Sequence, residues 1–399
     1  MSTLKKLITV VVLASMLSAT AMANGDKGES VTVPRGEDIY WSVDDRERAF
    51  LVEHVDEIKR KAYLGNAAAM YNLGRVYMLY ERTAENEEIA VGWFREAAIE
   101  RNASAMYILG CCLRDGVGIA QDLNRATEWF QKAADVGNVN AMCSLGCYLR
   151  DGIGITQDLN RAADLFLRAA LAGNADAMYN LGCCCRDSAG VEKNLSEAVK
   201  WFQKAAEQGN ADAQFQLGHC YLNGNGVLKD ERKAAALYQE AANQGHAKAQ
   251  YWLGDCYQLG QGIEKDFRKS IEWYKKSMDN GYCELDIYDS ISSVLLFIIW
   301  GMEKNGASFQ KIARSKELAE GIQYAEYAIN HFDCENAEDG NIYDTLAELY
   351  RYKNLDRALD YAEHAVALGV EGADKTLQDL RSINGTFGNI GRFLSGLFD

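Results

Sequence analysis

Apolar residues in the central part of the chain recur at three- and four-residue steps, which puts them on one face of a helix. Ala105, Leu109 and Leu113 follow such a step, and Ala126, Phe130, Ala133 and Ala134 follow another. They predict two amphipathic helices, A and B, joined by Gly116-Val117-Gly118. The whole pattern returns every 36 residues: Gly74, Gly110, Gly146, Gly182, Gly218 and Gly254 mark the step without an insertion, each preceded by a leucine. The turn recurs as Gly152-Ile153-Gly154, Gly224-Asn225-Gly226 and Gly260-Gln261-Gly262, and Gly137, Gly173, Gly209, Gly245 and Gly281 stand where helix B should stop. Tyr80 and Arg82 replace both turn glycines in the first unit, and Ser188 replaces the first of them in the fourth. A glycine inside a helix costs about 1 kcal/mol against alanine. Its recurrence within helix A therefore predicts a neighbouring helix too close to admit a side chain. Each pair presents an apolar face that only the next pair can cover, so the predicted fold is all-α, an α-solenoid of antiparallel helix pairs with twelve helices over residues 66 to 282.

Helix B carries an aromatic pair at the same step, Trp93-Phe94, Trp129-Phe130, Trp201-Phe202 and Trp273-Tyr274, with Leu165-Phe166 and Leu237-Tyr238 between. The series Ala-x-Ala-x-Tyr-x-Leu-Gly-x-x-Tyr, then Gly-x-Gly-Val, then Ala-x-x-Trp-Phe-x-x-Ala-Ala-x-x-Gly-Asn resembles the Sel-1-like repeat family, a relative of the tetratricopeptide repeat, over about residues 66 to 282. The resemblance implies a right-handed superhelix whose A helices line a concave groove.

The flanks divide further. Residues 1 to 23 read as a signal peptide: Lys5 and Lys6 precede the apolar stretch Leu7 to Ala19, and Ala21-Met22-Ala23 has the small-residue cleavage pattern. Residues 24 to 43 read as a flexible lead-in and 44 to 65 as an N-terminal capping half-repeat, with Gly65 in the terminal place of helix B. Residues 283 to 383 read as two divergent tetratricopeptide-like helix pairs with a loop near Glu303 to Ser308. Residues 384 to 399 read as an amphipathic tail placing Phe387, Ile390, Leu394 and Leu397 on one face. The apolar run Val294 to Trp300 is too short to span a bilayer and predicts a buried helix.

A formal charge of −15 over 399 residues argues against nucleic acid, whose phosphates call for a clustered basic surface. Removing the leader takes away Lys5, Lys6 and no acid, which leaves −17. No phosphate-binding loop, His-Glu-x-x-His or Gly-x-Ser-x-Gly motif occurs. Ser308-Phe309-Gln310-Lys311 spells Ser-x-x-Lys but lacks a Lys-Thr-Gly companion, so a hydrolase acting on cell-wall material is the weakest reading. His54, His219, His246, His331 and His364 are dispersed and predict solvated or capping roles.

Eleven cysteines stand out, nine of them on predicted A helices. Cys112, Cys184, Cys220 and Cys256 share a register expected to lie in the core. Cys111, Cys147 and Cys183 share the preceding one, where Arg75, His219 and Asp255 also occur, which predicts exposure to water; the resemblance to tetratricopeptide solenoids implies that this register lies on the concave wall. Neighbouring A helices about 8 to 10 Å apart are too distant for disulfides along that row. A cysteine-based metal or redox protein, with Cys143 and Cys147 as half of a soft-metal site, is the alternative to an interaction scaffold. The preferred expectation is an exported, non-enzymatic scaffold, without cofactor, that binds a protein or peptide in its groove. The candidate contacts are Tyr71, Tyr107, Tyr179, Phe215 and Tyr251, the row Arg114, Arg150 and Arg186, and the register Cys111, Cys147, Cys183 and His219. Aromatic residues and arginine are the usual interface anchors, although the aromatic register could equally pack between repeats.

Overall fold

The structure, a computed structural model, describes residues 45–79, 83–332, 334 and 340–395, with side chains up to 384. The expected signal peptide, the lead-in, the turn residues Tyr80 and Arg82, and the side chains of the apolar tail lie outside that description. The chain falls into two compact units, Met1–Phe50 and Leu51–Asp399. The first is described only from Asp45, where α1 (Asp45–Glu53) begins.

The second unit is a succession of helices, and no strand occurs among the described residues. After α2 (Val55–Tyr63) come six pairs: α3 and α4 (Ala67–Leu79, Ala84–Ile99), α5 and α6 (Ala103–Asp115, Leu123–Asp135), α7 and α8 (Val139–Asp151, Leu159–Leu171), α9 and α10 (Ala175–Asp187, Leu195–Glu207), α11 and α12 (Ala211–Asn223, Glu231–Asn243), and α13 and α14 (Ala247–Leu259, Phe267–Asp279). These are the twelve expected helices. The C-terminal part holds α15 (Leu285–Lys304), α16 (Phe309–Ala313), α17 (Lys316–His331), α18 (Asn341–Tyr350), α19 (Leu355–Leu368) and α20 (Ala373–Ser395). Each repeat helix packs on its sequence neighbours, α15 packs on α17, and α18 on α19. The last helix runs through residue 384 without a break, because an interior glycine such as Gly385 costs only about 1 kcal/mol.

Helix limits follow from the sequence. Each A helix from α5 to α11 is capped by an asparagine, Asn102, Asn138, Asn174 or Asn210, whose side chain accepts from the backbone N–H three residues on. His246 does the same for α13 through Nδ1, which leaves Nε2 as the protonated nitrogen. Asp122, Asp158, Asn194, Asp230 and Asp266 cap the B helices α6 to α14. Satisfying these first N–H groups is worth about 1 kcal/mol per helix.

The pivot of every pair is the second aromatic of helix B. Phe94, Phe130, Phe166, Phe202, Tyr238 and Tyr274 are all fully buried. A Cβ built on Gly74, Gly110, Gly146, Gly182, Gly218 or Gly254 would fall 2.5–2.6 Å from a ring carbon of that residue. The recurrent mid-helix glycine therefore makes room for an aromatic ring of its own repeat.

The two turn glycines have different jobs. The first, such as Gly152, is left-handed at φ 69°, but a Cβ there would meet only ordinary contacts. Ser188 occupies the equivalent place at φ 62°. The second approaches the preceding repeat. A Cβ on Gly154 would stand 2.5 Å from the carbonyl oxygen of Leu123, and one on Gly190 2.0 Å from that of Leu159. It is a contact between repeats, and glycine is present there in all five described turns.

The Val294 to Trp300 run lies within α15, the one described helix long and apolar enough to cross a membrane. It packs one side into the C-terminal core through Ile291, Val294, Leu295 and Ile299, while Phe297 and Trp300 stay exposed. The expected burial thus holds for one face only.

Candidate functional site

The A helices share one aligned face, and side-chain bonds between consecutive units hold it in register. Asn174 donates to Asn140 at 3.1 Å and Asn210 to Asp176 at 2.8 Å, each from its capping position to the preceding A helix. His246 Nε2 reaches Asp212 at 3.3 Å in the same way. At the other end, Arg150 Nη1 donates to Asn180 and Arg186 Nη1 to Gln216, both at 2.8 Å. Arginine thus ties its own A helix to the next.

Those arginines are also committed within their own helix. Arg114 with Asp115, Arg150 with Asp151 and Arg186 with Asp187 form two-pronged pairs at 2.7–2.9 Å. The carboxylate beside each guanidinium raises the pKa of Arg150 and Arg186 further. Their positive charge is largely answered by the chain itself.

The aromatic row lies half inside the fold. Tyr71, Tyr107, Tyr179, Phe215 and Tyr251 each place a ring 5.5–6.0 Å from the pivot ring of their own repeat. Phe215 is buried and the four tyrosines are partly exposed. The row packs within repeats and also reaches the surface of the A face.

The thiol register is where the sequence expectation fails. Cys111 is 0% exposed and Cys147 7%, and only Cys183 is partly accessible. Polar residues at equivalent positions predict contact with water, but in the fold they face other partners. The Arg75 guanidinium lies 5.5 Å from the Tyr71 ring, His219 is enclosed by Phe215, Tyr238 and Trp252, and Asp255 accepts from the Tyr274 hydroxyl at 2.5 Å. The ring one turn earlier covers the register, and Tyr107 and Tyr179 lie against Cys111 and Cys183. Burial pushes the Cys111 thiol up to about 11 and raises Cys183 as well. Cys143 and Cys147 form a hydrogen-bonded thiol pair, which raises the first and lowers the second. The other register behaves as expected, with Cys112, Cys184, Cys220 and Cys256 all buried. The ten cysteines from Cys111 to Cys283 form no disulfide.

Among the described residues no group of three or more His, Cys, Asp or Glu side chains could hold a metal ion. Ser308 and Lys311 meet only through helix capping: the Ser308 hydroxyl accepts the Lys311 backbone N–H at 3.3 Å at the start of α16.

Sequence reasoning named Phe215, His219 and Tyr251 in the C-terminal half of this face but missed Trp252 and the acids Asp255 and Asp286 as part of it. Trp252 occupies the register of Asn180 and Gln216, and its ring lies 4.5 Å from His219 and 6.2 Å from Tyr251. One turn on in the same helix Asp255, and on α15 Asp289, are held up to about 6 by burial, with Asp286 adding to both. The signal was present as a change from Cys and Asn to His, Trp and Asp at fixed registers.

Matches to the Sel1 repeat cover residues 67–100, 103–138, 139–174, 175–210, 211–246 and 247–282, more than half of the chain. No curated protein matches. Among solved structures, the fold is similar to c5321, a protective antigen of uropathogenic Escherichia coli displaying an SLR fold, at 27% identity and a TM-score of 0.66. That alignment covers 81% of this chain and 66% of the other, so this chain spans slightly less than two thirds of that protein's length. It is also similar to a Sel1 repeat protein from Oxalobacter formigenes, at 30% identity and a TM-score of 0.52, over 62% of this chain and 96% of that one. With six consecutive matched units folded as stacked helix pairs around a glycine-aromatic pivot, the chain belongs to the Sel1 repeat family.

Proposed function

We propose that this protein is an exported, non-enzymatic scaffold that holds a protein or peptide along the face formed by its A helices. Sel1 solenoids are in general protein-interaction scaffolds. The observation that carries the reading is the alignment of the A face. Arg150 to Asn180, Arg186 to Gln216 and Asn210 to Asp176 tie successive helices together, so a long strip of half-exposed side chains is presented in fixed register. A preformed surface loses little conformational freedom on binding. Export rests on Lys5, Lys6, the apolar Leu7 to Ala19 stretch and Ala21-Met22-Ala23, which would place the mature protein in the periplasm or outside the cell. The similar E. coli protein is described as a protective antigen, which suits such a location. The acidic composition argues for a partner other than nucleic acid.

Photo-crosslinking tests the surface. A crosslinkable residue at Tyr179 on the A face should trap a discrete partner in periplasmic or host extracts, and one at Asp164 on a B helix should not. Adducts only from Asp164 would overturn the assignment. Cleavage is read separately: a mature N-terminus at Asn24 is expected, and full-length protein retained in the cytoplasm would overturn export.

A further inference from the structure

The A face is electrically divided. In repeats two to four, Asp115, Asp151 and Asp187 are each saturated by the adjacent arginine. Along the A helices acids continue at Asp176, Asp212 and Asp255, and Asp286 on α15 is close enough to Asp255 to act on its carboxyl. Among the described residues no Lys or Arg lies within 4.0 Å of any of them. Asp212 meets only the His246 ring, whose Nδ1 accepts a backbone N–H and so carries no proton.

Aromatic rings accompany those acids. His219, Trp252 and Tyr251 form a continuous half-buried wall from α11 to α13, and Tyr282 extends it 5.3 Å beyond Tyr251. Burial, with Arg186 nearby, holds His219 down to about 4, so this wall adds no positive charge at neutral pH. Aromatic faces attract cations, most strongly where water is displaced, and unneutralised carboxylates beside them deepen the local negative potential.

We propose that the C-terminal half of the A face, centred on Trp252 and Asp255, binds a basic segment of a partner protein. In this proposal a Lys or Arg side chain lies against the Trp252 and Tyr251 rings and pairs with Asp255 and Asp286. The inference rests on the A-face reading above and specifies the chemistry of its occupant. The cation supplies the charge that Asp255 and Asp286 lack.

The test uses the full mature chain and a fluorescein-labelled octapeptide of alternating Lys and Ala, with the corresponding Glu-Ala peptide as control, at about 0.15 M salt where the Debye length is about 8 Å. The Lys peptide should bind and the Glu peptide should not. The double variant Asp255→Asn and Asp286→Asn should weaken the Lys peptide roughly tenfold, and Trp252→Asn roughly fivefold, about what one charge pair or one cation-ring contact supplies. A variant of equal charge on the B helices, Glu128→Gln with Asp164→Asn, should change affinity less than twofold. Unchanged melting and helicity show that each variant is folded. Equal weakening by the B-helix pair would make the attraction one of net charge alone and overturn the proposal, as would preference for the Glu peptide. A partner crosslinked at Tyr179 whose binding ignores Trp252, Asp255 and Asp286 would sink the basic-segment assignment while leaving the A-face reading intact.

Discussion

A Cβ on Gly110 would stand 2.6 Å from Cε1 of Phe130, so the first helix of the repeat closes onto the ring of the second with no space for a methyl group. The same relation joins Gly74 to Phe94 and Gly254 to Tyr274, which makes it the shared packing rule of the solenoid. Gly110→Ala tests it. Helix propensity favours alanine by about 1 kcal/mol, while overpacking a tight core costs about 1–3 kcal/mol. The ring is walled in by its own repeat, so overpacking should win. Urea titration should show a net loss of roughly 1–2 kcal/mol, and a smaller one in a Phe130→Leu background. A stabilised Gly110→Ala protein would refute the close approach.

The turn glycines should separate cleanly under substitution. Gly152→Ser should cost about 1 kcal/mol, the usual penalty for a left-handed non-glycine residue, since Ser188 already sits there in the next repeat. Gly154→Ala should cost clearly more, because its Cβ runs into the Leu123 carbonyl of the preceding repeat, where no side-chain rotation can relieve it. The reverse change, Ser188→Gly, should raise stability by roughly 0.5–1 kcal/mol. Equal losses at positions 152 and 154 would contradict the division of roles.

Thiol accessibility gives a direct readout of burial. In the native protein Cys283 should react quickly with a thiol reagent and Cys183 slowly, while Cys111 and Cys147 should be protected until unfolding. Cys111→Ser or Cys147→Ser buries a hydroxyl and should cost on the order of 1–3 kcal/mol. Cys283→Ser should stay within about 0.5 kcal/mol. Rapid labelling of Cys111 in folded protein would restore the exposed reading of that register.

Asp289 supplies a pH prediction. Its folded pKa lies near 6, above the ordinary 3.8, because burial and Asp286 disfavour the charged form. The native state therefore binds more protons than the unfolded chain between these values, and the Asp289 contribution to stability falls as pH rises from about 4 to above 6. Asp289→Asn keeps an acceptor for Thr345 and removes the buried charge. It should stabilise the protein at pH 7.5 by on the order of 1–3 kcal/mol, with the difference gone near pH 4. Equal stability changes at both pH values would show that the carboxyl does not titrate in this window.

What the sequence determined by itself is local and repeated: the 36-residue step, the helix pairs, their caps and the identity of the core aromatics. These follow from the period of the chain and from backbone groups satisfied within a few residues, so they are legible without a fold. The tertiary structure decided what each face meets. The register of Cys111 and Cys147 looked exposed because Arg75, His219 and Asp255 share it, yet rings from the preceding turn and from helix B cover it. The second turn glycine looked like part of a local turn, yet it fits against the Leu123 carbonyl 31 residues earlier. Arg150 and Arg186 looked available to a partner, yet each is held by its neighbouring aspartate and by the next A helix. Periodicity names the side of a helix on which a residue lies; whether that side sees water, a ring or another carbonyl depends on atoms brought there by distant parts of the chain.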